Sequence, residues 1–101
     1  MASKRTKALQ IPKAVKDAVY ERDRHQCIYC GSPYGLPEAH FIPRSKGGLG
    51  IERNVVTLCR ECHRKYDQTT ERETIGLFIL GYMLEQYPDW NMSQVTYKKY
   101  Q

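Results

Sequence analysis

Four cysteines fall in two Cys-x-x-Cys pairs, Cys27-Ile28-Tyr29-Cys30 and Cys59-Arg60-Glu61-Cys62, with 28 residues between them. A Cys-x-x-Cys turn aims two thiolates at one point, and two such turns close a tetrahedron around Zn²⁺. The gap exceeds the roughly 15–20 residues of common zinc-ribbon spacings. An inserted hairpin of functional residues accounts for the excess. Two other uses of the pairs are disfavoured. Structural disulfides belong to exported chains, and no apolar signal core follows the basic start Met1-Ala2-Ser3-Lys4-Arg5. A redox pair needs a βαβ setting that this sequence lacks. A structural zinc would also staple a chain of 101 residues, too short for a large core.

The middle of the chain resembles the HNH family of nucleases. The matching string is Cys27-x-x-Cys30, then Glu38-Ala39-His40-Phe41-Ile42-Pro43-Arg44-Ser45-x-Gly47-Gly48, then Asn54-Val55-Val56-Thr57-Leu58-Cys59-x-x-Cys62-His63. Arg22-Asp23, before the first pair, also looks like the family. The likeness spans roughly residues 19–67, and the small basic HNH proteins of phages and prophages are most similar in length and basic start. The resemblance implies an α+β fold: a zinc-stapled ββα-metal (His-Me finger) core with flanking N- and C-terminal helices. It implies a metal-dependent DNA endonuclease that nicks a phosphodiester bond, with His40 as general base, Asn54 orienting His40 through a hydrogen bond, and His63 binding the catalytic cation.

That chemistry suits the residue types. A neutral imidazole takes a proton from water near physiological pH. A divalent ion such as Mg²⁺ or Mn²⁺ stabilises the phosphoryl charge and the leaving oxygen. One departure stands out. Many relatives carry Asp or His immediately before the base, usually as a metal ligand, and here Ala39 occupies that place. Two residues are candidates to replace it. Asp67 lies four residues after His63, one turn along the same helix face. Glu38 shares a strand face with His40. If neither binds, the alternative is a non-catalytic zinc-dependent DNA-binding module, or a subunit of a phage DNA packaging or recombination machine. His25, two residues before the first pair, reads as a surface residue because four cysteines already complete a zinc site.

The elements that must position these groups follow from local signals. Pro12 opens a helix running to about Arg24. Glu38–Pro43 and Asn54–Leu58 read as strands on either side of a glycine-rich basic loop, Arg44–Gly50. A helix from about Glu61 carries His63 and Asp67. Thr70–Tyr87 repeats Ile75, Phe78, Ile79, Tyr82 and Met83 at helical spacing until Pro88 stops it. The organisation expected is a flexible basic arm over 1–11, the nuclease domain over 12–69, and a C-terminal helix and tail over 70–101 packing on it.

Sixteen Lys and Arg against eleven Asp and Glu give a net +5, carried by the front of the chain. A polyanionic partner is expected, here double-stranded DNA. Arg44, Lys46, Arg60, Arg64 and Lys65 cluster in sequence around the site, and the Gly47-Gly48 amides offer a phosphate contact. Lys4, Arg5, Lys7, Lys13 and Lys16 extend the basic face. No apolar run reaches the roughly 20 residues that span a bilayer, so the expectation is an intracellular, cytoplasmic protein, monomer or homodimer.

Overall fold

The computed structural model describes residues 3–98. Its order is α1 (Lys4–Leu9), α2 (Lys13–Arg22), β1 (Leu36–His40), β2 (Val55–Leu58), α3 (Arg60–Gln68) and α4 (Arg72–Gln86), with 3-10 turns at Arg44–Lys46 and Met92–Gln94. The fold is α+β, with one antiparallel hairpin of two strands and helices around it.

The hairpin register pairs Ala39 with Val56 and His40 with Val55, but slips by one residue before Leu36 meets Leu58. Pro37 lies in the slip, where a residue without an N–H leaves no ladder donor unpaired. Beyond the slip, alternation turns Ala39 inward, at 1% exposure, and leaves Glu38 and His40 on the other face. The position that often carries a metal ligand is therefore a core position in this chain.

Ala39, Val56 and Leu58 join Cys27, Cys62, Tyr66, Ile75, Ile79 and Met83 in one apolar cluster. α4 supplies Ile75, Ile79 and Met83 at four-residue spacing, so one stripe of the helix faces the core. Phe78 flanks that stripe, part-exposed, and meets Tyr29, edge to face at 5.2 Å, beside the first cysteine pair. Pro88 follows the helix and enforces its end.

Arg22 and Asp23 form the polar anchor of the fold. Arg22 donates twice to Asp23 and also to the carbonyls of Glu52 and Val55, each at 2.7 Å. Asp23 is buried and accepts from the Thr57 N–H at 2.8 Å and the Tyr82 hydroxyl at 2.6 Å. α2, β2 and α4 are thereby tied together. Burial, reinforced by the Asp23 carboxylate, pushes the Tyr82 phenol up to about 12. Tyr82→Phe leaves this buried carboxylate one donor short and should cost about 1.5–3 kcal/mol, measured as a lowered midpoint in urea denaturation with unchanged slope.

Residues 3–11, part of the segment expected to be a flexible arm, are ordered by a short helix. Ser3 caps α1 by accepting from the Thr6 N–H at 3.1 Å, and Leu9 is 2% exposed. The expected glycine loop is also more ordered than a loop. After the turn Arg44–Lys46, Gly48 bridges to Thr96, and Leu49 N–H donates to the Val95 carbonyl. The C-terminal tail thus braces the loop between the strands, and Trp90 donates to the Arg53 carbonyl at 2.6 Å. Lys99 and Tyr100 of the tail lie outside the described residues, as do Met1, Ala2 and Gln101.

Candidate metal and catalytic centre

The two cysteine pairs come together. The donor atoms of Cys27, Cys30, Cys59 and Cys62 all lie within 4.8 Å of one another, and Cys30 and Cys59 Sγ are 3.6 Å apart. The first pair sits in a turn fastened to β2 by Ile28 N–H donating to the Thr57 carbonyl. The second pair forms the start of α3, where Cys59 Sγ caps the helix by accepting from the Cys62 N–H at 3.4 Å. Cys30 N–H points at Cys27 Sγ in the same way, at 3.5 Å. Burial opposes ionisation of Cys27, but N–H donors from Cys30, Cys59 and Tyr29 outweigh it and bring that thiol down to about 7. Burial and the neighbouring thiols push Cys62 up. A dication held by the four sulfurs would relieve that conflict by offsetting their negative charge. The four cysteines are positioned to hold a metal ion.

A second cluster lies where β1 ends and α3 passes. His40, His63, Asp67 and Glu38 line one open cleft of about 960 Å³. His63 Nε2 and Asp67 Oδ2 are 3.1 Å apart, one helical turn separating their residues. Adjacent ligands of an octahedral Mg²⁺ at about 2.1 Å lie about 3 Å apart, so this pair fits two neighbouring corners of such a cation. Glu38 stands on the same wall, but its carboxylate reaches Lys16 Nζ at 3.5 Å. Among the described residues, the only group of three or more metal-binding side chains with converging donor atoms is the four cysteines. His63 and Asp67 lie close as a pair, and Glu38 does not converge with them.

His40 is half-buried, and its Nε2 lies 2.7 Å from the Leu9 carbonyl oxygen. A carbonyl can only accept, so Nε2 carries the proton and Nδ1 is the basic nitrogen. Burial is the main cause that keeps His40 below the usual histidine range. Arg44 and His63 add to it, against the opposing pull of the Leu9 carbonyl and Asp67.

The expected hydrogen bond from Asn54 to His40 is not the one formed. The buried Asn54 side chain accepts from the Ile42 N–H at 2.8 Å and donates to the carbonyls of Ile42 and Leu49 at 3.1 and 2.9 Å. It clamps the two ends of the loop that follows β1, and so acts on His40 only through the backbone. The Gly47 and Gly48 amides are likewise committed, to the carbonyls of Arg44 and Pro43. They are not free for a phosphate. Gly48 is required for space, since a Cβ there would overlap the Ile42 carbonyl.

The basic residues divide. Arg44 and Lys46 line the cleft, together with Lys16 and Arg72. Arg60, Arg64 and Lys65 do not, and Arg64 pairs with Glu61 at 2.6 Å on the outer face of α3. Arg72 carried no sequence signal. It stacks on the Tyr66 ring at 4.5 Å and donates to the Tyr66 carbonyl at 3.0 Å. His25 is exposed and pairs with Glu21 at 2.8 Å.

Residues 27–78 match the family described as HNH endonuclease. A curated protein named Anaredoxin, from Nostoc sp., is 38% identical over 45 residues, which cover 44% of this chain and 59% of that protein. The chain thus spans little more than half of that relative's length. No helix among the described residues is long and apolar enough to cross a membrane.

Proposed function

Since the chain belongs to the HNH endonuclease family, we propose that it is a metal-dependent DNA endonuclease that hydrolyses one phosphodiester bond per encounter and so nicks duplex DNA. The observation that carries this reading is the cleft itself, where a histidine with a committed Nε2 proton faces the same space as the His63–Asp67 pair. Zn²⁺ is the ion that suits the cysteines. At a Zn–S distance of about 2.3 Å, tetrahedral sulfurs lie about 3.8 Å apart, close to the 3.6 Å between Cys30 and Cys59.

His63 Nε2 and Asp67 Oδ2 would hold the catalytic cation, and that cation supplies Lewis-acid stabilisation of the phosphoryl charge and the leaving oxygen. His40 accepts the proton of the attacking water at Nδ1, while Leu9 keeps the ring from turning. Lys16, Arg44, Lys46 and Arg72 grip phosphates on either side, which positions the backbone without reading sequence. One such centre per chain makes a nick, and a double-strand break requires two chains or two events.

Purified protein should convert supercoiled plasmid to open circle only when Mg²⁺, Mn²⁺ or a similar ion is added; an activity indifferent to added cation would count against the reading. The pH profile carries a definite sign. A base must be neutral to work, and burial lowers the His40 pKa. The nicking rate should therefore rise with pH through a midpoint below the ordinary histidine value of 6.5. A midpoint well above that value would assign the limb to another group. Asp67→Ala should raise the cation concentration for half-maximal nicking at least about tenfold, read from a cation titration. An unchanged titration would remove Asp67 from the ligand set.

A further inference from the structure

The N-terminal segment is fastened to the cleft at several points. The Leu9 carbonyl accepts from His40 Nε2, the Ala8 carbonyl accepts from the Gly50 N–H at 3.0 Å, and Arg5 donates to the Arg44 carbonyl at 3.2 Å. Leu9 anchors the segment in the interior, and Gln10 and Ile11 form part of the cleft wall. The closest approach is at Gly50, where a Cβ would overlap the Gln10 carbonyl. Backbone carbonyl groups cannot yield as a flexible side chain does, so a side chain at Gly50 must displace the segment that carries Leu9.

Asn54 forms no hydrogen bond to the His40 ring, and that ring has one hydrogen-bond partner among the described residues, the Leu9 carbonyl. The imidazole tautomer is set by whatever holds the other nitrogen. We infer that residues 3–11 are a built-in part of the catalytic centre, with the Leu9 carbonyl fixing His40 as the Nε2–H tautomer and Gly50 seating that carbonyl. Leu9 is then a positioning residue acting through its backbone, and the segment that the sequence presents as a basic tether is the back wall of the base. The catalytic consequence rests on the nuclease reading; the tautomer does not.

The test uses the full chain, as purified, with ¹⁵N-labelled histidine. Two-bond proton–nitrogen correlation spectra distinguish the two neutral tautomers of each ring. At pH 7.5, His40 should show a single Nε2–H form. Gly50→Ala should give a mixture of tautomers at His40. Its kcat for nicking should fall about 10–100-fold, with plasmid affinity within about threefold of wild type, because the cleft lysines and arginines stay in place. An Nδ1–H form in the wild type, or a Gly50→Ala protein with wild-type tautomer and rate, would overturn the inference. If amide spectra show that Gly50→Ala is unfolded, Leu9→Ala makes the same test, since it keeps the carbonyl but removes its anchor. A chain that shows the fixed tautomer and loses it in Gly50→Ala, yet never nicks DNA, upholds the positioning of His40 and refutes the nuclease reading alone.

Discussion

Removing the ion from the four cysteines, or replacing Cys62 with Ser, should unfold the chain at room temperature. Apparent binding free energies for structural zinc reach about 10–16 kcal/mol at neutral pH, whereas an entire small domain is stable by only about 5–15 kcal/mol. The location of the site makes the loss global. Cys27 and Cys62 belong to the same buried cluster as Val56, Leu58 and Ile79, and the second pair is the first turn of the helix that carries His63 and Asp67. Without the ion, the turn after α2 and the start of α3 lose their common attachment, and burial of Cys62 becomes an unanswered cost. The expected result is about one zinc per chain by elemental analysis. Chelation should abolish both the helical circular dichroism and the cooperative thermal transition. A metal-free chain that melts cooperatively at the same temperature would contradict this account of the fold.

Much of the framework was legible in the sequence because it is written in local spacing. The two Cys-x-x-Cys pairs, the four-residue step from His63 to Asp67 and the stop at Pro88 each need only neighbouring residues to be read. The parts that were not legible depend on distant contacts. A six-residue helix such as α1 is marginal alone. It persists here because Leu9 is buried and its carbonyl meets a residue 31 positions away. Asn54 looks like a partner for a nearby histidine, but whether its amide meets His40 or the backbone of Ile42 is decided by the loop path, which pattern does not encode. Gly47-Gly48 illustrates the same point. Glycines beside basic residues suggest a phosphate cradle, whereas here their amides close a turn and Gly48 makes room for the Ile42 carbonyl. Arg72 reaches the cleft only because α4 folds back on α3, so no motif announces it.

The second large effect is expected at the base. His40→Ala should lower the single-turnover nicking rate about 10²–10⁴-fold, the range by which a positioned acid or base accelerates proton transfer. DNA affinity should change little, since Lys16, Arg44, Lys46 and Arg72, the cleft groups proposed to grip phosphate, stay in place, and the one side-chain hydrogen bond of His40 is internal. The loss of that bond costs about 1 kcal/mol of stability, too little to unfold a chain held by its cysteine site. The variant therefore separates chemistry from binding.

The most direct measurement follows. Wild type and His40→Ala are brought to the same fractional occupancy of supercoiled plasmid, with occupancy read from a binding assay on the same preparations. Open-circle product is then timed with and without added Mn²⁺. The account predicts cation-dependent nicking by the wild type and at least about a hundredfold less by the variant at equal occupancy. Equal rates from the two proteins, or a wild type that fills the plasmid and leaves it uncut with every divalent ion, would contradict it.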